Sequence, residues 1–284
     1  MLNKNIKSPV NIPVEKIHPF EGNPYKVQDN DEMNSLICSI QEQGILTPII
    51  IRPIENTDEY EVISGHRRLH ATVKAGMKEV PAFIYAVTRD EAAIMLVDSN
   101  LHREHILPSE KAFAYKLKLD AIKHQGKTSM QLAQKLSVEV VGESAGESKD
   151  NVRRYIRLTY LIPELLELVD EEKIALTPAV ELSYLTDEEQ YSLLGTIEEE
   201  ERTPSLSQAV RFKKLSQAGE LSDESIETIM QEDKANQKPT VKFSVERLQK
   251  VAPKVKESDL ENFVMKACEH YYRYLLRQRD RDSR

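Results

Sequence analysis

Up to about Met230, strand-like segments occur only in the first ~90 residues of this chain, and from Arg89 onward the strand signal gives way to helical patterns. That asymmetry limits the fold to a small α+β unit followed by a long helical region. Pro48-Ile-Ile-Ile-Arg-Pro53 and Tyr60-Glu-Val-Ile-Ser-Gly65 are short apolar runs of the buried-strand type, and Pro81-Ala-Phe-Ile-Tyr-Ala-Val87 adds a third. Met33, Leu36, Ile37 and Ile40 fall on one helical stripe, and Gly44 stands where a helix C-cap would. Arg89 to Asn100 predicts one helix, Ser109 is placed to cap a second over Lys111 to Gly126, and shorter helices continue to about Met230.

The segment Gln231 to Pro239 has no apolar residue except Ala235, so it is expected as a linker. Beyond it, Thr240 to Val245 alternates like one strand and Asp259 to Gln278 reads as one helix. One strand and one helix bury too little to stand alone, and the apolar stripe Phe263, Val264, Ala267, Tyr271 and Tyr274 is expected to pair with a second copy. The expected architecture is therefore α+β: residues 1–97 as a mixed domain, 98–230 as an all-helical domain, 231–239 as a linker and 240–284 as a strand-helix dimerisation module.

A net charge of −8 argues against a generic polyanion binder, so contact with nucleic acid must come from local basic faces. Charge is uneven. Residues 231–284 carry 13 Lys and Arg against 9 Asp and Glu, whereas Asp187 to Glu201 is strongly acidic and is expected as a solvated helix face. No apolar run approaches the ~18–20 residues of a membrane span, and the first residues lack the apolar stretch of a signal peptide, so a cytoplasmic location is expected. Cys38 and Cys268 have no CxxC spacing and are expected as core thiols of a reducing compartment.

Two segments carry chemistry. At Ile63-Ser-Gly-His-Arg-Arg68 a glycine sits at a strand-to-helix turn, where backbone can approach a phosphate, and Arg67 and Arg68 add positive charge. A solvated helix face is the alternative. Asn100 and Arg103, farther along, are polar residues at helical spacing that could face the same ligand. His66 and His70 share a helix face and His102 and His105 follow in the second segment, but Arg67 and Arg68 would repel a cation and no cysteine is near, so neutral, hydrogen-bonded histidines are expected rather than a metal site.

A helix-turn-helix is expected over about 138–158, with Gly142 where the two helices approach, Gly146 in the turn, and Ala145, Val152, Tyr155 and Ile156 as the locking contacts. Ser148 would cap the second helix, whose exposed side would carry Lys149, Asn151, Arg153, Arg154 and Arg157, residue types that reach phosphates and base edges. Thr128 to Leu136 competes as the first helix, and a merely basic amphipathic helix is the alternative to DNA binding.

Taken in order, residues 12–20 (IPVEKIHPF), 39–52 (SIQEQGILTPIIIR), 60–76 (YEVISGHRRLHATVKAG) and 97–115 (VDSNLHREHILPSEKAFAY) resemble the successive boxes of the ParB family of partition proteins. The resemblance implies a pocket for CTP and Mg²⁺ whose closure turns a DNA-bound homodimer into a clamp. It places Thr47, Pro48 and Ile49 along the nucleotide, Gly65, His66, Arg67 and Arg68 at its phosphates, Asn100 at the metal and Arg103 nearby. It further implies double-stranded DNA with an inverted repeat as target, association with the nucleoid, and a ParA-type ATPase as partner, although the residues before Ile12 do not show the family's usual arm for that partner.

The departures are specific. Where the family commonly has Gly-Glu-Arg-Arg and Glu-Asn, this chain has Gly65-His66-Arg67-Arg68 and Ser99-Asn100, and Asn23-Pro-Tyr-Lys-Val27 offers Lys26 at most in place of an arginine. Nucleotide binding with weak or absent CTPase activity is what this combination implies. Sulfiredoxins place Gly-Cys-His-Arg at the same turn of a similar domain; that cysteine is absent from Ser64-Gly65-His66-Arg67, and the comparison keeps ATP beside CTP as the candidate nucleotide. A nucleotide-dependent phosphotransferase on this shared fold is the second functional reading.

Overall fold

The computed structural model describes residues 8–101, 103, 105–125, 130–232, 248, 250, 255–256 and 259–282. The chain divides into two compact units, Met1–Glu232 and Asp233–Arg284.

In the first unit, strands Val10–Pro13 (β1), Ile17–His18 (β2), Ile49–Pro53 (β3), Tyr60–Ser64 (β4) and Glu79–Ile84 (β5) form one mixed sheet in the order β1-β5-β3-β4-β2. β3 lies at its centre, parallel to β5 and antiparallel to β4, with Ile51 opposite Val62. Successive side chains of a strand point to opposite faces. Ile49 and Ile51 accordingly pack with Val62 and Leu69, whereas Ile50 and Ile63 join the helix that covers the other face. Continuous apolar runs in β3 and β4 follow from this burial on both sides.

Helices Asp31–Gln43 (α1) and His66–Lys74 (α2) pack on each other through Met33, Ile40 and Ala71, and α1 stops at Gly44, whose φ is 71° and whose N–H bonds the Ile40 carbonyl at 2.9 Å. Helix Arg89–Asn100 (α3) opens with a capping box between Thr88 and Glu91 and covers the second face of the sheet with Ala92, Ala93, Leu96 and Val97. A domain boundary at residue 97 therefore falls inside α3. The helix Pro108–Gln125 (α4) adds Ala114 and Ala121 to the same apolar cluster as Ile63, so the α+β layer runs into the helical region through a shared core.

The remaining helices of this unit are Met130–Ala145 (α5), Lys149–Arg157 (α6), Pro163–Asp170 (α7), Leu176–Leu182 (α8), Asp187–Glu200 (α9), Leu206–Ala218 (α10) and Asp223–Gln231 (α11). Leu158, Leu165, Ile174, Leu182, Leu193 and Phe212 are at the centre of their core. The acidic stretch is α9: its acids are solvated while Leu193 and Ile197 face the core.

Some expectations are corrected. Ser109 lies within α4 instead of capping it, because its N–H and hydroxyl both bond the Asp170 carboxylate, at 2.8 and 2.5 Å. Cys38 and Cys268 are exposed, not core thiols. In the second unit, Leu260–Asp282 forms one helix (α12), with Phe263, Tyr271 and Tyr274 exposed and the two tyrosine rings stacked at 6.2 Å. The expected strand Thr240–Val245 and linker positions 233–239 lie outside the described residues. Among the described residues no helix is long and apolar enough to cross a membrane.

Candidate functional site: a polar cleft beside a helix-turn-helix

Gly65 makes the turn from β4 into α2 with φ at 105°, a conformation L side chains rarely adopt. A Cβ there would lie 2.7 Å from Cγ2 of Ile49, so the glycine is required for space as well as for φ. Its consequence is that the first turn of α2, with backbone N–H groups that have no intrahelical acceptor, borders a cleft of about 450 Å³. Ser64, Gly65, His66, Arg67 and Arg68 line one side; Ser99, Asn100 and Arg103, at and just beyond the end of α3, line another; Asn23, Tyr25, Lys26 and Val27 form a third wall, with Glu32 and Leu36 of α1.

That third wall is held by backbone tethers. Phe20 N–H reaches Nε2 of His66 at 3.4 Å, Glu21 N–H donates to Glu61 at 3.1 Å, and Lys26 N–H donates to Glu110 of α4 at 2.9 Å. Glu61 is itself buried and paired across the sheet with Arg52 at 2.8 Å. Accepting from Phe20 places the His66 ring proton on Nδ1. Burial, with the nearby Arg103 charge, pushes the His66 pKa down to about 4, so the ring is neutral at neutral pH. His70 bonds Asp29 at 2.8 Å, and the described residues contain no group of His, Cys, Asp and Glu able to hold a metal; His102 lies outside them.

The arginines divide. Arg68 turns its guanidinium back onto the carbonyl oxygens of Thr47 and Pro48, the latter at 2.7 Å, and burial lowers its pKa. Thr47 and Pro48 thus touch the site through Arg68, and Ile49 is fully buried beneath Gly65; these three residues do not line the cleft. Arg67 is tied to Glu32 at 3.1 Å, and Arg103 sits over the Tyr25 ring, 5.6 Å from its centroid. The Asn100 amide donates to the Leu96 carbonyl at 2.8 Å, and its side-chain oxygen is a hard ligand of the kind Mg²⁺ takes together with phosphate and water. In sequence Leu36 reads as a core position and Asn23–Val27 as a segment with only Lys26 to offer, so Tyr25, Val27, Glu32 and Leu36 gain their place at the cleft only through folding.

The second element is a helix-turn-helix made of α5 and α6. α5 ends in a Schellman motif: Gly146 has φ of 67°, the Glu147 N–H bonds the Gly142 carbonyl at 2.9 Å, and the Gly146 N–H reaches Glu143 at 3.4 Å. A Cβ on Gly142 would meet the Glu147 carbonyl oxygen at 2.6 Å. Ser148 caps α6 by accepting from Asn151 N–H at 3.2 Å, and Val152 packs on Tyr115, Leu119, Val138 and Val141, with Ala145, Tyr155 and Ile156 around it. The register question resolves into a single α5 that includes part of the competing first helix; Thr128 lies outside the described residues.

Of the basic side chains on α6, Lys149 and Arg153 are exposed, Lys149 lying 3.6 Å from Glu139 and Arg153 hydrogen-bonded to Asp150 at 3.0 Å, surface pairs that contribute little. Asn151 bonds Glu147 at 2.5 Å and Arg154 bonds Thr177 at 2.5 Å. Arg157 does not stand on the exposed side. It bonds the Ser183 hydroxyl and carbonyl at 3.0 and 2.6 Å and lies against the rings of Tyr160 and Tyr184, 4.4 and 3.9 Å from their centroids. We predict that Arg157→Ala lowers stability by about 1–3 kcal/mol, through lost charge-assisted hydrogen bonds and stacking; a melting temperature equal to wild type would show that this contact between α6 and α8 contributes nothing.

The cleft, bordered by a glycine-led helix N-terminus, thus lies in a small α+β layer packed on one part of α4, while the α5–α6 pair packs on another part of the same helix. Comparison with known proteins gives the class. Residues 2–101 match the ParB N-terminal domain model. The chain is 33% identical over 200 residues to the chromosome-partitioning protein Spo0J of Thermus thermophilus, covering 70% of this chain and 68% of that one. It is 30% identical over 200 residues to the nucleoid occlusion protein of Listeria innocua, covering 70% of this chain and 66% of that one. The chain belongs to the ParB family. The crystal structure of truncated ParB from Caulobacter crescentus complexed to the centromeric parS site has a TM-score of 0.42 at 20% identity, over 78% of this chain and 98% of that one. The matched stretches span 61–66% of the length of two Listeria nucleoid occlusion proteins.

Proposed function

We propose that this protein binds an inverted-repeat DNA site as a dimer through α6 and that a nucleotide, CTP in the first instance, bound with Mg²⁺ in the cleft, gates its grip on DNA in the segregation or maintenance of a chromosome, plasmid or mobile element. The observation that carries this reading is the shared use of α3 and α4. The end of α3 lines the cleft with Ser99 and Asn100, while Tyr115 and Leu119 of α4 pack under the helix-turn-helix. A ligand that draws Asn100 and Arg103 toward α2 would therefore bear on the helices that carry α6. The exposed aromatic face of α12 supports pairing between copies. A ParA-type ATPase partner belongs to the same proposal through family membership alone.

Binding and hydrolysis place different demands on the cleft. Phosphate binding needs backbone donors, cations and a metal ligand, which α2, Arg67, Arg103 and Asn100 can provide. Hydrolysis also needs a group that orients or deprotonates water. His66 is neutral with Nε2 committed to Phe20, Ser99 is no base, and the Glu32 carboxylate is engaged by Arg67. Slow or absent hydrolysis is expected. Calorimetric titration with CTP and with ATP in Mg²⁺, beside a phosphate-release assay with and without the target DNA, tests this: binding without brisk release is the expected result, brisk DNA-stimulated release would refute the hydrolysis claim, and no binding of either nucleotide would remove the gate.

A further inference from the structure

Among the described residues, four cations and one carboxylate line the cleft: Lys26, Arg67, Arg68 and Arg103, with Glu32. The cations are differently placed. Arg68 is turned onto backbone carbonyls, the Lys26 ammonium lies 4.0 Å from Asp170, which is no wall of the cleft, and Arg103 lies over the Tyr25 ring. Arg67 alone of the four is ion-paired with another lining residue, its guanidinium donating to the Glu32 carboxylate at 3.1 Å. Both side chains are open to solvent, 38% and 73% exposed, so an anion entering the cleft meets them without disturbing the core. Their helices are fixed. The Asn30 side chain caps α1 by accepting from Met33 N–H at 3.0 Å, Met33 is fully buried against Ala71 of α2, and Asp29 bonds His70 and Lys74 of α2 at 2.8 and 2.6 Å. The start of α1 therefore holds a carboxylate against the first turn of α2, the turn suited to receive phosphate.

We propose that Glu32 is a built-in competitor for the phosphates of the ligand: in the empty protein its carboxylate occupies Arg67, a phosphate group must displace it to bind, and Glu32 thereby sets how much negative charge a ligand needs. For the identity of that ligand this rests on the reading of the cleft as a nucleotide site. An exposed pair of carboxylate and guanidinium contributes little, so a phosphate that also meets the N–H groups of α2 can replace it. The displaced carboxylate remains on the cleft wall and repels the phosphate chain, since their separation is well under the ~8–10 Å screening length of physiological salt.

Glu32→Gln removes the charge and keeps the shape. Melting of the full-length variant is expected to change little, because α1 keeps its Asn30 cap and Asp31 in its first turn. Its affinity for CTP in Mg²⁺, measured by calorimetry at low salt, is expected to rise about three- to tenfold, with a similar rise for inorganic tripolyphosphate and a smaller one for both at high salt. Equal CTP affinities for variant and wild type would overturn the proposal and leave the nucleotide reading intact. Weaker binding by the variant would also overturn it, because Glu32 would then help to hold the ligand or its metal. If wild type binds no CTP the nucleotide reading falls, and tripolyphosphate alone decides: tighter binding by the variant supports the competitor role, and equal or absent binding by both proteins overturns it.

Discussion

Gly65→Ala is expected to lower stability by about 2–4 kcal/mol and to abolish nucleotide binding. The new Cβ would sit 2.7 Å from Cγ2 and 3.1 Å from Cβ of Ile49, under any tolerable contact distance. Ile49 cannot yield, since it is fully buried in the central strand between β4 and β5. Positive φ adds roughly 1–2 kcal/mol for an L side chain and overpacking roughly 1–3 kcal/mol. Relief by rotating the turn would move the N–H groups of α2 out of the cleft. Thermal unfolding should fall by roughly 5–15 °C for a unit of this size. A variant that melts within 2 °C of wild type, by this ~2–4 kcal/mol estimate, would mean that the turn relaxes freely.

The larger functional effect is expected from Lys149→Ala combined with Arg153→Ala. Both side chains are exposed on α6, and their surface ion pairs with Glu139 and Asp150 contribute little. Loss of two phosphate contacts should weaken DNA binding roughly 10–100-fold at moderate salt and reduce the slope of log affinity against log salt by about 2. Melting should barely change, which separates this pair from Arg157→Ala, where stability falls first. Fluorescence anisotropy across a salt series measures both quantities. An unchanged affinity and slope would move the DNA surface away from α6.

Local chemistry explains what was legible in the sequence. Gly44 and Gly146 mark helix ends because a left-handed residue is required there, and Ser148 precedes its helix as a cap should. β3 and β4 are visible as apolar runs since both faces of the sheet are covered. By contrast, β1 and β2 are four and two residues long, too short for a period to register. Ser109 misleads because a hydroxyl just after a helix-opening proline has the same local signature whether it caps or, as here, serves a carboxylate 61 positions away. Arg157 has the same origin: a basic residue at helical spacing is indistinguishable in sequence from its neighbours until Tyr160, Tyr184 and Ser183 are folded against it. The cleft was half visible. The turn at Gly65 and the α3 residues Ser99 and Asn100 stand in motifs, whereas Asn23–Val27 shows only an altered segment in sequence and Glu32 reaches the site only through its tertiary tether to Arg67.

The most direct test of the account is to crosslink the protein to DNA in cells of its native host, recover it, and sequence the fragments, comparing wild type with the Lys149→Ala, Arg153→Ala double variant. A partition protein gated by nucleotide should enrich a small number of loci centred on an inverted repeat, with signal spreading into flanking DNA, and the double variant should lose those peaks. Fragments distributed over the genome as in an untagged control, with no repeat at their centres, would contradict it.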